Sequence, residues 1–99
     1  MYRLTYSSSV ADDLKPLGAP ERSQILDEID IQLAHEPVRE TRNRKILVRL
    51  VPPWEHVPPV WELRIGEYRV FYDVDEKAKV VIVRAIRHKP PHKTTEEIL

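Results

Sequence analysis

Residues 61–74 read WELRIGEYRVFYDV. Apolar and polar side chains alternate on either side of Gly66-Glu67, the period of a half-buried strand, and glycine at the first of two central positions suits a type II′ hairpin turn. The pattern predicts two antiparallel strands in which Ile65 faces Tyr68, Arg64 faces Arg69, Leu63 faces Val70, Glu62 faces Phe71 and Trp61 faces Tyr72. One face then carries Trp61, Leu63, Ile65, Tyr68, Val70 and Tyr72 and belongs in a core. The other carries Glu62, Arg64, Arg69, Phe71 and Asp73. It sets two arginines opposite each other, which like-charge repulsion disfavours unless an anion sits nearby. This second face is the candidate working surface.

Toward the N-terminus, Tyr2, Leu4 and Tyr6 alternate with Arg3 and Thr5 as a short strand. Ser7 to Ser9 offer N-caps to a helix carrying Val10, Ala11, Leu14 and Leu17, with Asp12 and Asp13 in its first turn where the helix dipole favours acids. Pro16 ends or kinks it and Gly18 closes it. Pro20 suits the first position of a second helix, whose buried stripe is Ile25, Leu26, Ile29 and Leu33 and which Pro37 stops. Val38 to Arg44 read as a basic loop. Lys45 to Leu50 read as a strand with Ile46, Val48 and Leu50 inward and Lys45, Leu47 and Arg49 outward.

Between that strand and the hairpin lies VPPWEHVPPV, residues 51–60. Two Pro-Pro pairs cannot donate ladder hydrogen bonds, so the segment is a stiff, partly polyproline connection. Trp54 at its middle is either a lid on the core edge or an exposed contact residue. Beyond the hairpin, residues 75–78 form a polar turn and Val80 to Arg87 a last strand. With a four-residue loop, Val81, Val83 and Ala85 join the core and Arg84 lies beside Arg69 on the open face. Thr94 or Thr95 caps a final short turn, EEIL.

The chain of 99 residues is read as one domain, 1–99, long enough to close a core without staples. It has no cysteine, which excludes disulfides, a thiol nucleophile and cysteine-built metal sites. No pair of histidines or carboxylates has metal-ligand spacing, so neither metal nor other cofactor is expected. No apolar run approaches a membrane span and the first ten residues lack a signal-peptide pattern, so a cytoplasmic protein away from membranes is expected. The formal net charge is zero, but it is unevenly spread. Residues 8–36 hold seven acids and two bases, 39–49 five bases and one acid, and 84–93 four bases and no acid. The molecule is expected to be dipolar.

The order strand, two helices, antiparallel sheet, with LRIGEYRVFYDVDE leading to a valine-rich strand ending in RAIRHK, resembles the RelE/ParE superfamily of type II toxins. The resemblance spans nearly the whole chain. Its most specific part is the arginine after Gly-x-Tyr at the head of a strand, here Gly66, Tyr68 and Arg69, with the basic strand end at Arg87, His88 and Lys89. It implies an α+β fold of order β-α-α-β-β-β-β, with two N-terminal helices packed on one face of a twisted antiparallel sheet. It further implies the toxin of a toxin–antitoxin pair, silenced by a small antitoxin wrapped around it; from the basic stretches 39–49 and 84–93, an acidic or amphipathic antitoxin segment is expected to cover the basic face. RelE-like members cut messenger RNA on the ribosome. ParE-like members inhibit DNA gyrase and lack the nuclease residues, and a domain that keeps the fold only to bind partners is a third alternative.

Metal-free RNA cleavage needs a base for the 2′-hydroxyl proton, a cation on the phosphorane and an acid for the leaving 5′-oxygen. His88 can supply the acid or the base, the role histidine side chains fill near neutral pH. Arg69 is the expected phosphate ligand, with Arg64 beside it. Lys89 matches a basic position of RelE-like enzymes, and Glu62 stands where those enzymes carry lysine and can serve as a substitute base. Lys45, Arg49, Arg84 and Arg87 are expected to hold the RNA backbone. The tyrosine that many RelE-like nucleases carry past the basic pair has no counterpart in PPHKTTEEIL. Arg69 as a structural partner of Glu62 or Asp73 is the alternative that the residues leave open.

Overall fold

The computed structural model describes residues Met1–Leu99. Its elements are β1 (Arg3–Tyr6), α1 (Val10–Leu14), α2 (Ala19–Leu33), β2 (Arg44–Ile46), β3 (Trp61–Ile65), β4 (Tyr68–Asp75), β5 (Val80–His88) and α3 (Thr95–Ile98). The hairpin β3–β4 has the expected register, from Trp61 opposite Tyr72 to Ile65 opposite Tyr68. Gly66 has φ 57° while Glu67 stays out of the left-handed region, as a type II′ turn requires. The sheet order is β1-β5-β4-β3-β2. Neighbours run antiparallel except that β1 pairs parallel with β5, Leu4 against Val81.

Leu63, Val70, Tyr72, Val81 and Val83 are fully buried on one face, against Val10 of α1 and Ile25, Ile29 and Leu33 of α2. The α2 residues recur every four positions, so a single apolar stripe meets the sheet. Truncating one of them, Ile29→Ala for example, costs about 2–5 kcal/mol by lost transfer energy and the cavity left behind. Pro20 stands in the first turn of α2, and carbonyls at its C-terminal end accept from Arg44 and Tyr2. The Arg44 guanidinium donates to Gln32 O at 2.8 Å and to Glu36 O, Tyr2 N–H donates to Ala34 O, and the Tyr72 hydroxyl donates to Pro37 O at 2.7 Å. Gln32 O and Ala34 O are carbonyls that a helix end leaves unpaired, and Glu36 O and Pro37 O belong to the segment that follows it. Arg44 is therefore a buried helix-end ligand and adds nothing to the open basic surface.

Three expectations need correction. The strand expected over Lys45 to Leu50 stops at Ile46, because Arg49 takes φ 65°; Leu47 makes one more bond to Val60 O, and Val48 is 70% exposed instead of inward. In β5 the ladder shifts between Phe71 and Tyr72, leaving Arg84 as an extra residue. That bulge lets Val83 and Ile86 both face the helices and sends Ala85 to the other face. In consequence Arg87, and not Arg84, stands opposite Arg69.

The face away from the helices is itself partly apolar. Val60, Phe71 and Ala85 are buried there under Leu47, Trp54, Ile98 and Leu99. Trp54 lies on Phe71 at 5.3 Å between ring centroids, which makes it a lid. Thr94 caps α3 in a reciprocal capping box with Glu97, holding Ile98 and Leu99 over this second cluster. The rest of that face is polar. No helix is long and apolar enough to cross a membrane.

Candidate functional site, a cation-lined cavity on the open face

Strand alternation puts Glu62, Arg64, Arg69, Arg87 and Lys89 on the face away from α1 and α2. Arg64, Arg69 and Arg87 stand in a row across three strands, and each is handled differently. Arg87 donates to Asp13 at 2.9 Å and lies over the Trp54 ring at 5.1 Å, so it is neutralised and packed. Asp13 can reach it because β1 ends at Tyr6 and α1 takes over the edge of β5, where the Asp13 carboxylate also accepts from Ile86 N–H. Arg69 turns back to the hairpin, one guanidinium nitrogen donating to Gly66 O and Tyr68 O, both at 2.9 Å. Burial lowers its pKa from the ordinary arginine value, with Glu62 opposing the shift and Arg64 adding to it. An arginine so placed remains a cation at neutral pH. Arg64 is exposed and its side chain has no partner in the protein.

Between these groups lies a cavity of about 160 Å³ with no apolar residue in its wall. Arg64, Arg69, Lys45 and Lys89 surround it, Arg42 and Asn43 close one side, and Glu62 and Thr95 the other. Glu62 is only 4% exposed. Its carboxylate takes a hydrogen bond from Thr95 Oγ1 at 2.9 Å and lies 3.5 Å from Lys45 Nζ, its direct cross-strand neighbour. Five cations and one carboxylate thus converge on a space wide enough to admit a phosphate. Such a set is suited to hold an anion through charged hydrogen bonds.

Of the nine site residues expected from sequence, the structure gathers five here: Arg69, Lys89, Glu62, Arg64 and Lys45. Arg84 faces the same side but is locked to Asp73, at 2.8 and 3.2 Å. Arg49 lies exposed beyond the end of β2. His88 pairs with Tyr68 in register and so points to the helix-covered side, opposite to the cavity. There its Nε2 meets Glu67 Oε1 at 2.9 Å and its ring packs on Tyr68, whose hydroxyl donates to Glu21. Arg42, Asn43 and Thr95 are additions. The charge of loop 38–44 pointed to Arg42, but Asn43 enters because its carbonyl accepts from Arg64 N–H at 2.7 Å, a pairing no pattern announces. Nowhere do three His, Asp or Glu side chains come together to hold a metal ion.

A family model described as the ParE toxin of the type II toxin-antitoxin system, parDE, matches residues 4–89. Among solved structures, the chain is similar to a chain of the archaeal RelE–RelB complex from Pyrococcus horikoshii OT3, at 27% identity, TM-score 0.68, covering 94% of this chain and 98% of that one. It also shares the fold of the toxin–antitoxin complex RelBE2 from Mycobacterium tuberculosis, at 24% identity and TM-score 0.66, covering 89% and 98% of the two chains. The isolated RelE toxin of E. coli has the same fold at 18% identity and TM-score 0.67, with 98% and 94% covered. No curated protein sequence matches the chain.

Proposed function

Since the chain belongs to the ParE toxin family of type II toxin–antitoxin systems and is a toxin of the RelE/ParE superfamily, we propose that it arrests translation by cutting messenger RNA on the ribosome without a metal. The observation that carries this reading is the cavity in which Arg64, Arg69, Lys45 and Lys89 converge with a single carboxylate, Glu62. Arg69 and Arg64 hold the scissile phosphate and stabilise the charge of the phosphorane. Glu62, the one carboxylate in the cavity wall, accepts the 2′-hydroxyl proton as the 2′-oxygen attacks phosphorus. The bond from phosphorus to the 5′-oxygen breaks, and Lys89 gives that oxygen a proton. The products are a 2′,3′-cyclic phosphate and a 5′-hydroxyl end. Such an action belongs in the cytoplasm, where ribosomes and mRNA are found.

The relatives solved with RelB are toxin–antitoxin complexes. A cognate antitoxin is the expected partner here, with acidic residues set against the cavity, so that its affinity falls as salt rises.

Gyrase inhibition is the second reading. Two observations favour it: the matching family is described as the ParE toxin, and His88 stands across the sheet from the cavity. Purified toxin added to ribosomes carrying a defined mRNA, beside a gyrase supercoiling assay, separates the two. Cut mRNA with cyclic-phosphate ends supports the nuclease. Intact mRNA with arrested supercoiling replaces it with the ParE-like activity.

A further inference from the structure

The cation-lined cavity does not end at Arg64. A wider hollow of about 550 Å³ opens beyond that side chain, and Arg42, Asn43 and Arg64 line both spaces. Its far wall differs in kind. Gln24, Glu28 and Gln32 recur every four residues along α2 and so share one face of the helix, while Ile65 and Gly66 of the hairpin close the end. Gln32 donates to Glu28 at 3.4 Å. Asn43 uses only its backbone in the protein, N–H to Thr41 Oγ1 and C=O to Arg64 N–H, so its side-chain amide is uncommitted, as is that of Gln24.

These groups exclude most occupants. A phosphate would meet the Glu28 carboxylate, and an apolar side chain would find Ile65 as its one apolar neighbour. A flat neutral group with donors and acceptors on its edge fits all of them. Asn and Gln amides pair with base edges by two hydrogen bonds, and guanidinium planes stack on unpaired bases. A carboxylate accepts and never donates, so Glu28 favours an exocyclic amino group over uracil, whose single N3–H donor is flanked by two carbonyl oxygens that repel a carboxylate. We infer that this hollow holds a nucleobase next to the phosphate in the cation-lined cavity, that Gln24 and Asn43 read its edge, and that Glu28 selects bases with an exocyclic amino group over uracil. The inference rests on the proposed action on RNA.

The test uses ribosomes programmed with four mRNAs differing at one nucleotide beside the cleavage position, repeated at each adjacent position. At one of them wild type is expected to cut the uracil message slower by roughly tenfold or more, the discrimination a good paired contact supplies. Gln24→Ala and Asn43→Ala should flatten that preference, and Glu28→Gln should raise cutting at uracil. In parallel, the side-chain amide NMR signals of Gln24 and Asn43 are followed on adding RNA trinucleotides with or without uracil. Wild type that cuts without base preference, or variants that keep the wild-type pattern, overturn the base pocket and leave the nuclease reading standing. No cutting, with amide signals that respond to adenine and cytosine but not uracil, keeps the pocket and removes the nuclease. No cutting and no base-dependent shift remove both.

Discussion

Asp73 and Arg84 form the most deeply buried ion pair of the molecule, 2.8 Å apart with side chains 2% and 15% exposed. The extra residue of the β5 bulge is thus an arginine that turns in toward β4. The Asp73 carboxylate also accepts from Val57 N–H at 3.1 Å, tying the proline-rich segment to the sheet. Removing one member of such a pair leaves the other charged, buried and unpaired. Asp73→Ala is therefore expected to destabilise the fold by about 3–5 kcal/mol. Asp73→Ala combined with Arg84→Met should recover a large part of that loss. Urea unfolding followed by tryptophan fluorescence measures both. Equal stability of wild type and the single variant would show that the pair contributes nothing.

The hairpin was legible because two alternating runs flank one Gly-x turn, so a period of two specifies both face and register. The α2 stripe was legible for the same reason at helical period. What escaped depended on backbone features and on groups far apart in sequence. The left-handed Arg49 shortened β2, and the bulge at Arg84 exchanged the expected neighbour of Arg69 for Arg87. The second apolar cluster draws Leu47, Trp54, Val60, Phe71, Ala85 and Ile98 from separate segments, and no local pattern links them. Five of the nine expected site residues converged because four ride on paired strands and the fifth, Lys89, directly follows β5. His88 did not, since its register partner Tyr68 belongs to the core face.

Tyr72 supplies a second stability test. Its hydroxyl donates to Pro37 O, and burial pushes its pKa above the ordinary tyrosine value of 10. A raised folded pKa means stability present below pH 10 and lost as pH climbs toward the folded value. Tyr72→Phe removes one hydrogen bond and leaves the buried carbonyl short of a donor, at a cost of about 1 kcal/mol. The variant should also lose less stability than wild type between pH 10 and 11.5. Parallel stability curves for the two proteins over that range would refute the account.

Acid should open the cavity before it unfolds the sheet. Hydrogen bonds from Thr94, backbone first and hydroxyl second, hold the Glu97 carboxyl below its ordinary value of 4.5. A depressed folded pKa means that the stabilisation is present above pH 4.5 and lost as pH falls through the folded value. As the capping box fails, α3 frays, Thr95 leaves Glu62, and the lid over Phe71 loosens. Relative to the intrinsic rate at each pH, amide protection of residues 94–99 is expected to fall as pH drops through the lowered Glu97 value while β3 to β5 stay protected. Thr94→Ala should bring the same fraying at neutral pH. Exchange that rises in all strands together would show that α3 is not an independent unit.

The cavity and the opposite face can be told apart by substitutions at two positions. Arg69 sits on the open face between Arg64 and Arg87, and its side chain supports only two carbonyls at the hairpin turn, so Arg69→Ala should leave the fold intact. If it holds the phosphorane, its loss should lower the rate of mRNA cutting by roughly 10²–10³, the usual effect of deleting one preorganised donor. Arg69→Lys keeps the charge but not the paired donors and should recover only part of the rate. His88, though chemically the better acid or base, points away from that cavity into its contact with Glu67 and Tyr68. On this geometry His88→Ala should change the rate by no more than a few-fold, whereas an acid or base in the reaction would be worth roughly 10²–10⁴. Single-turnover cleavage on purified ribosomes, with circular dichroism to verify folding, measures all three variants. A large loss in His88→Ala beside a small one in Arg69→Ala would move the chemistry to the helix-covered side of the sheet and empty the cation-lined cavity of its role.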